Sequence, residues 1–153
     1  LTTLVSVANE TKLGHDVAVE TRFEGRGATD AFSVTGHDSR LGQVVSNLLS
    51  NAQSFSEPGS KVRLTCRRVR SEIEIVVDDD GPGIRDDALE RIFERFYTDR
   101  PHQGFGQNSG LGLSISKQII EAHGGRISAA NRTDRSGAIF TVVLKRASVE
   151  KRR

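Results

Sequence analysis

Between Phe55 and Lys61 the hydrophobic period of this sequence drops from that of a helix to that of a strand, and this change limits its folds more than any other feature. From Ser39 to Phe55 the apolar side chains Leu41, Val44, Val45, Leu48, Leu49, Ala52 and Phe55 recur at three and four residues, the stripe that one buried helix face requires. Glu57, Pro58 and Gly59 stop that helix. The period then becomes two, with Val62, Leu64 and Cys66 in the strand 61–70 and Ile73, Ile75 and Val77 in the strand 72–78, the alternation of a sheet with one buried face. The outer face of the first strand is basic and that of the second acidic, so the two can pair across an antiparallel ladder.

The rest of the chain extends this pattern. Leu1, Leu4, Val5 and Ala8 have helical spacing, and Val17, Val19, Thr21 and Phe23, then Phe32 and Val34, alternate as two strands around the polar turn 25–30. Residues 86–93 read as a short helix. Residues 97–109 form a long polar stretch with Gly104 and Gly106, and loops of that length are usually functional. Residues 110–123 carry Leu111, Ile115, Ile119 and Ile120 on one helical side, with Gly124 and Gly125 as the stop signal. Strands at 126–130 and 137–145 complete the set. The order predicts an α/β (α+β) two-layer sandwich, a mixed sheet covered on one face by helices. With 153 residues, 35% of them hydrophobic, there is room for one such domain and not for a second. Its expected bounds are 15–147, after a linker or helix end at 1–14 and before a solvated basic tail at 148–153.

Composition excludes several classes. The single cysteine, Cys66, cannot form an internal disulfide, and its place in an alternating run predicts a buried thiol in a reducing compartment. No apolar stretch reaches bilayer length, which predicts a soluble chain, and the absence of Met predicts a segment of something longer. A net charge of +2 without interleaved aromatic residues gives no support to nucleic-acid binding.

Three short stretches carry chemistry. Asn47 and Asn51 lie one turn apart in a helix whose interior asparagine does not favour. An amide oxygen is a neutral hard ligand suited to Mg²⁺, although a solvated helix face would look the same. Asp79, Asp80, Gly81, Pro82, Gly83 and Ile84 follow a strand directly. A plain turn would do this too, but a second glycine after Pro82 is more than a turn needs. Ionised Asp79 only accepts hydrogen bonds, so it suits an amino group such as that of adenine. Asn108, Ser109, Gly110, Leu111, Gly112 and Leu113 place glycines at a helix start, where free N–H groups and the dipole attract anions. Lys117 reads as a surface lysine.

In order and spacing these stretches resemble the ATP-binding domains of the gyrase, chaperone and histidine-kinase family, from about His15 to Lys145. Residues 47–52 resemble its N box, 79–84 its first glycine box, 92–97 the F box of the kinases, 109–113 its second glycine box, and 137–140 its last glycine motif. The resemblance implies that Asn51, helped by Asn47, holds Mg²⁺ and that Asp79 binds adenine. It further implies that Phe55, Gly81, Gly83, Ile84 and Tyr97 belong to the nucleotide site. The backbone of Ser109, Gly110, Leu111, Gly112 and Leu113 would wrap the ATP phosphates under a mobile lid at 97–108, anchored by Ile92, Phe93 and Phe96.

Relatives that hydrolyse ATP carry glutamate where this chain has Asn47, and an amide cannot accept a proton from water. With the F box, this implies a sensor histidine kinase catalytic domain rather than a hydrolase. Phosphoryl transfer needs positioning and charge neutralisation, and Arg100 is the candidate catalytic cation beside Asn47. The sequence departs from the family at Thr98, Ser54, Phe55, Asn108 and Ala138, which puts a lysine contact to phosphate in doubt. None of the four histidines, His15, His37, His102 and His123, lies in the phosphoacceptor pattern; His123 reads as a helix cap. The implied partners are therefore a dimerisation and histidine phosphotransfer domain elsewhere in the parent and a response regulator downstream, with this segment itself a monomer. The wording of 96–101 and of Asn108 and Ser109 is similar to the ChvG and ExoS type of alphaproteobacterial sensor kinase, which implies a cytoplasmic domain of an inner-membrane parent. Two other readings stay open: a serine kinase of the anti-sigma type, and a nucleotide-sensing module that transfers nothing.

Overall fold

The computed structural model describes residues 18–24, 38–54, 56, 59–94, 112–134 and 136–145. Five strands, β1 (Ala18–Glu24), β2 (Lys61–Val69), β3 (Glu72–Asp79), β4 (Arg126–Asn131) and β5 (Ala138–Lys145), form one sheet in the order β1-β2-β3-β5-β4. β1 and β2 are parallel, and every other neighbouring pair is antiparallel. Parallel neighbours need a crossover, and here the connection contains helix α1 (Asp38–Ser54). Helix α2 (Gly112–Ala122) precedes β4. The sheet is thus mixed and carries its helices on one face, as the periodicities predict. The proposed strand around Phe32 and Val34 and the helix at 1–11 lie outside the described residues.

The core sits between the layers. On the sheet side Val62, Leu64, Cys66, Ile73, Val77, Phe140, Val142 and Leu144 are buried, at alternate positions of each strand, with the partly buried Ile75 between Ile73 and Val77. On the helix side Val44, Val45, Leu48, Leu49 and Ala52 of α1 and Ile119 and Ile120 of α2 meet them. Leu48 and Leu49 are wholly buried, and each burial contributes roughly 1.5–3 kcal/mol. Cys66 is buried, as its place in the alternating run predicts, and burial pushes its thiol up to about 11. The ladder pairs Arg63 with Asp78 and Arg67 with Glu74 across β2 and β3, and both pairs form the cross-strand ion pairs expected of a basic and an acidic face.

The short helix expected over 86–93 is corrected by the structure. The stretch makes two separate 3₁₀ turns, Asp86–Ala88 and Arg91–Phe93, closed by Ala88 N–H to the Arg85 carbonyl at 2.9 Å and Glu94 N–H to the Arg91 carbonyl at 2.9 Å. So short a run cannot offset the cost of nucleating an α-helix, and the two turns instead drop Ala88 and Ile92 into the core. Phe93 packs edge-on against Phe140, with ring centroids 6.3 Å apart, and Lys117 places its Nζ 5.8 Å from the Phe93 centroid. Lys117 is therefore an aromatic contact of α2 and not merely a solvated side chain. At the end of α2, His123 Nδ1 lies 2.8 Å from the Ile119 carbonyl, the capping contact its position suggested.

Candidate functional site

Asp79 ends β3 on the helix-covered face and is only 4% exposed. Its Oδ1 accepts the Gly81 N–H at 2.8 Å and the Ala138 N–H at 3.3 Å. Neither donor is charged. Desolvation is the largest influence on this carboxyl and lifts its pKa above the ordinary range; the two backbone bonds pull the other way, and neighbouring Asp78 and Asp80 lift it further. Both of its bonds to described residues fall on one oxygen, Oδ1, and neither on Oδ2. The next turn brings the chain back with Gly83 at a φ of 86°, a backbone region that glycine occupies without strain. Gly137, at a φ of 144°, lies so close that a side chain there would overlap the Asp79 carbonyl oxygen.

On the opposite face the neighbouring aspartates are held by arginines. Arg63 donates to Asp78 at 2.6 Å and to Asp80 at 2.8 Å; Arg132 donates to Asp78 at 2.8 Å and reaches Asp134 at 3.0 Å. Both guanidiniums are pushed above their ordinary pKa, Arg63 chiefly by its bond to Asp80 and Arg132 chiefly by its bond to Asp134, in each case against some desolvation.

A second group of side chains joins the two helices. The Asn47 amide nitrogen donates to the Gly112 carbonyl at 3.3 Å and to Ser116 Oγ at 3.2 Å. A carbonyl can only accept, so this contact fixes which end of the amide is nitrogen. Asn47 and Gly112, 65 residues apart, are thereby brought together at the first turn of α2. Ser116 is fully buried and Ser114 nearly so. Asn51 lies one turn further along α1 and is half-buried. Since α1 packs against both α2 and β3, the asparagine and aspartate groups share one face of the sheet.

A sequence profile of the histidine kinase-, DNA gyrase B- and HSP90-like ATPases matches residues 36–148. The chain belongs to this ATPase family. Sensor protein ChvG of Agrobacterium fabrum is 52% identical over 132 residues, which make up 82% of this chain and 22% of that protein. The chain therefore spans about a fifth of the length of this curated relative. Among solved structures, the mycobacterial sensor histidine kinase MprB superposes with a TM-score of 0.81 at 26% identity, covering 97% of this chain and 96% of that one. Full-length ShkA in complex with AMPPNP does so at 0.74 and 27% identity, covering 97% of this chain and 30% of that one.

In this ATPase-family domain Asn47, Asn51, Asp79, Gly81, Gly83, Ile84, Gly112 and Leu113 all lie among the described residues. Ile84 and Leu113 pack against the edge of the core. Phe55, Tyr97, Arg100, Ser109, Gly110 and Leu111, and the lid as a whole, lie outside them, as does Phe96. Sequence reasoning missed Asn131, Ser136 and Arg132. Asn131 bonds both backbone groups of Ile84, and Ser136 Oγ donates to the Gly81 carbonyl. The one available signal was Gly137, whose motif was recognised without its consequence, namely that the turn before β5 must lie against Asp79.

Proposed function

We propose that this chain is the ATP-binding catalytic domain of a two-component sensor histidine kinase, and that it hands the γ-phosphoryl of Mg-ATP to a histidine on a dimerisation domain elsewhere in the parent. The observation that carries this reading is Asp79, a desolvated carboxylate whose Oδ1 is taken up by backbone N–H groups and whose Oδ2 suits the amino group of adenine. Gly81, Gly83 and Ile84 then flank the base, with Phe55 and Tyr97 as further contacts.

The donor set fits Mg²⁺. Among the described residues no three acidic, histidine or cysteine side chains gather as a metal site, and Mg²⁺ beside substrate phosphates asks for few protein ligands. Asn51 and the Asn47 amide oxygen would hold it, and the ion would neutralise phosphate charge. Asn47 is held in orientation by Gly112 and Ser116 and cannot deprotonate water, which favours transfer over hydrolysis. The N-terminus of α2, with Ser109, Gly110, Leu111, Gly112 and Leu113, would receive the phosphates through backbone N–H groups, and Arg100 would supply the catalytic cation. The unit is 15–147, flanked by a linker and a tail. Its partners are the histidine phosphotransfer domain and a response regulator, and it works on the cytoplasmic side of an inner-membrane sensor of the ChvG type.

Calorimetric titration of a nonhydrolysable ATP analogue, with and without Mg²⁺, tests the reading. Binding should strengthen with Mg²⁺ and weaken about 10- to 100-fold in Asp79→Asn, the loss of one charge-assisted hydrogen bond. A folded wild type that binds no nucleotide would sink it. Phosphorylation of an added histidine domain separates a kinase from a module that only senses nucleotide.

A further inference from the structure

The loop after β3 contains Gly81 and Gly83, and a loop with two glycines has more conformations to lose on ordering than almost any other. What orders it comes from the edge strand of the sheet, two places from β3. Asn131 is the last residue of β4, on the helix-covered face, and its ladder partner is Ala138. Its Oδ1 accepts the Ile84 N–H at 2.7 Å while its Nδ2 donates to the Ile84 carbonyl at 2.6 Å. One side-chain amide thus makes both bonds that a neighbouring strand would make to a single residue. Gly83 fits beneath it: a Cβ there would lie 2.8 Å from Asn131 Oδ1, an atom its bond to Ile84 does not let move. The same turn adds Ser136 Oγ on the Gly81 carbonyl, and the Arg132 N–H closes the turn on the Gly137 carbonyl at 2.9 Å.

We infer that Asn131 is a positioning residue for nucleotide binding: without touching the base, it clamps Ile84 and so holds the loop in the shape that presents Asp79 and the loop backbone to adenine. The inference rests on the nucleotide reading of Asp79. Asparagine suits the task because it carries one donor and one acceptor in a plane. An ionised carboxylate has only acceptors and would face the Ile84 carbonyl with like charge, whereas a protonated carboxyl again offers one of each. Pre-ordering of this kind acts on affinity by removing the ordering cost from the binding step.

The first arm of the test needs no nucleotide. In Asn131→Ala the Ile84 amide should exchange with solvent at least tenfold faster by NMR while the amides of β3 keep their protection. The second arm is titration with the same ATP analogue, whose dissociation constant should rise about tenfold. In Asn131→Asp the affinity relative to wild type should approach one at low pH and fall as the new carboxyl ionises. That ratio cancels the titration of Asp79, of the phosphates and of the nearby Asp78, Asp80, Arg132 and Asp134, which both proteins share. A merely structural residue would not give this recovery, and the low-pH arm remains readable if Asn131→Ala does not fold. Unchanged Ile84 exchange, or a freed loop that binds the analogue as tightly as wild type does, would overturn the inference. A wild type that binds nothing speaks against the nucleotide reading instead, while the exchange arm still reports whether the clamp exists.

Discussion

Asp78, Asp79 and Asp80 are adjacent and chemically identical, yet the structure uses the middle one differently from its neighbours. Side chains of a strand alternate between faces, so Asp79 enters the helix-covered layer while Asp78 and Asp80 meet Arg63 and Arg132 on the other. The outer pair is neutralised by cations. Among the described residues the inner one is met only by backbone N–H groups, and burial lifts its pKa. A one-residue slip of β3 would exchange these roles, so the ladder that fixes register also decides which carboxylate enters the helix-covered layer.

The largest expected break in this contrast is on the inner side. Gly137→Ala would put a methyl group into the Asp79 carbonyl at a backbone angle unfavourable to alanine. A loss of about 3 kcal/mol or more is expected, seen as a fall in the urea midpoint without a change of slope. An unchanged midpoint would mean that the turn before β5 does not press on Asp79. On the outer side the expected effect is smaller. The Arg63 side chain is 21% exposed, between the regimes of surface and buried pairs, and Arg63→Ala should cost about 1–2 kcal/mol. Combined with Asp78→Asn in a double-mutant cycle, the two changes should be less than additive. Strict additivity would show that Arg63 and Asp78 do not couple, which would leave Arg132 as the cation that holds Asp78.

How much of this was legible beforehand followed from the range of the interactions. Helix α1 and strands β2 and β3 declared themselves through period alone, and Asp79 and Asn47 through residues that sit awkwardly for local reasons: a second glycine in a turn, an asparagine inside a helix. The ladder from Arg63 to Asp78 was visible because β2 and β3 are consecutive. The bonds of Asn131 and Arg132 were not, because they depend on β5 lying between β3 and β4, and no local pattern announces that order. The parallel pairing of β1 with β2 was hidden for the same reason. The 3₁₀ turns at 86–93 were misjudged because the inward placement of Ala88 and Ile92 has helical spacing, although the backbone between them does not stay helical.

The smallest predicted effect separates the inner aspartate from its neighbours most cleanly, because it is a matter of sign. The Asp79 pKa is raised in the folded state above the unfolded value near 3.8, so between the two values the folded chain binds more protons than the unfolded one. Stability must then fall as pH rises from that lower value through the folded pKa, and stay lower above it. Asp79→Asn removes the charge but keeps an oxygen for the Gly81 and Ala138 N–H groups. Without nucleotide the variant should match wild type at pH 4 or below and exceed it at pH 8 by on the order of 1 kcal/mol, a difference of a few degrees in Tm. Saturating ATP analogue should reverse the ranking at pH 8, since an adenine amino group on Oδ2 favours the ionised form. Parallel Tm curves for the two proteins without nucleotide would mean that Asp79 is no more desolvated in the fold than in the unfolded chain, and the distinction between the inner and outer aspartates would then reduce to geometry alone.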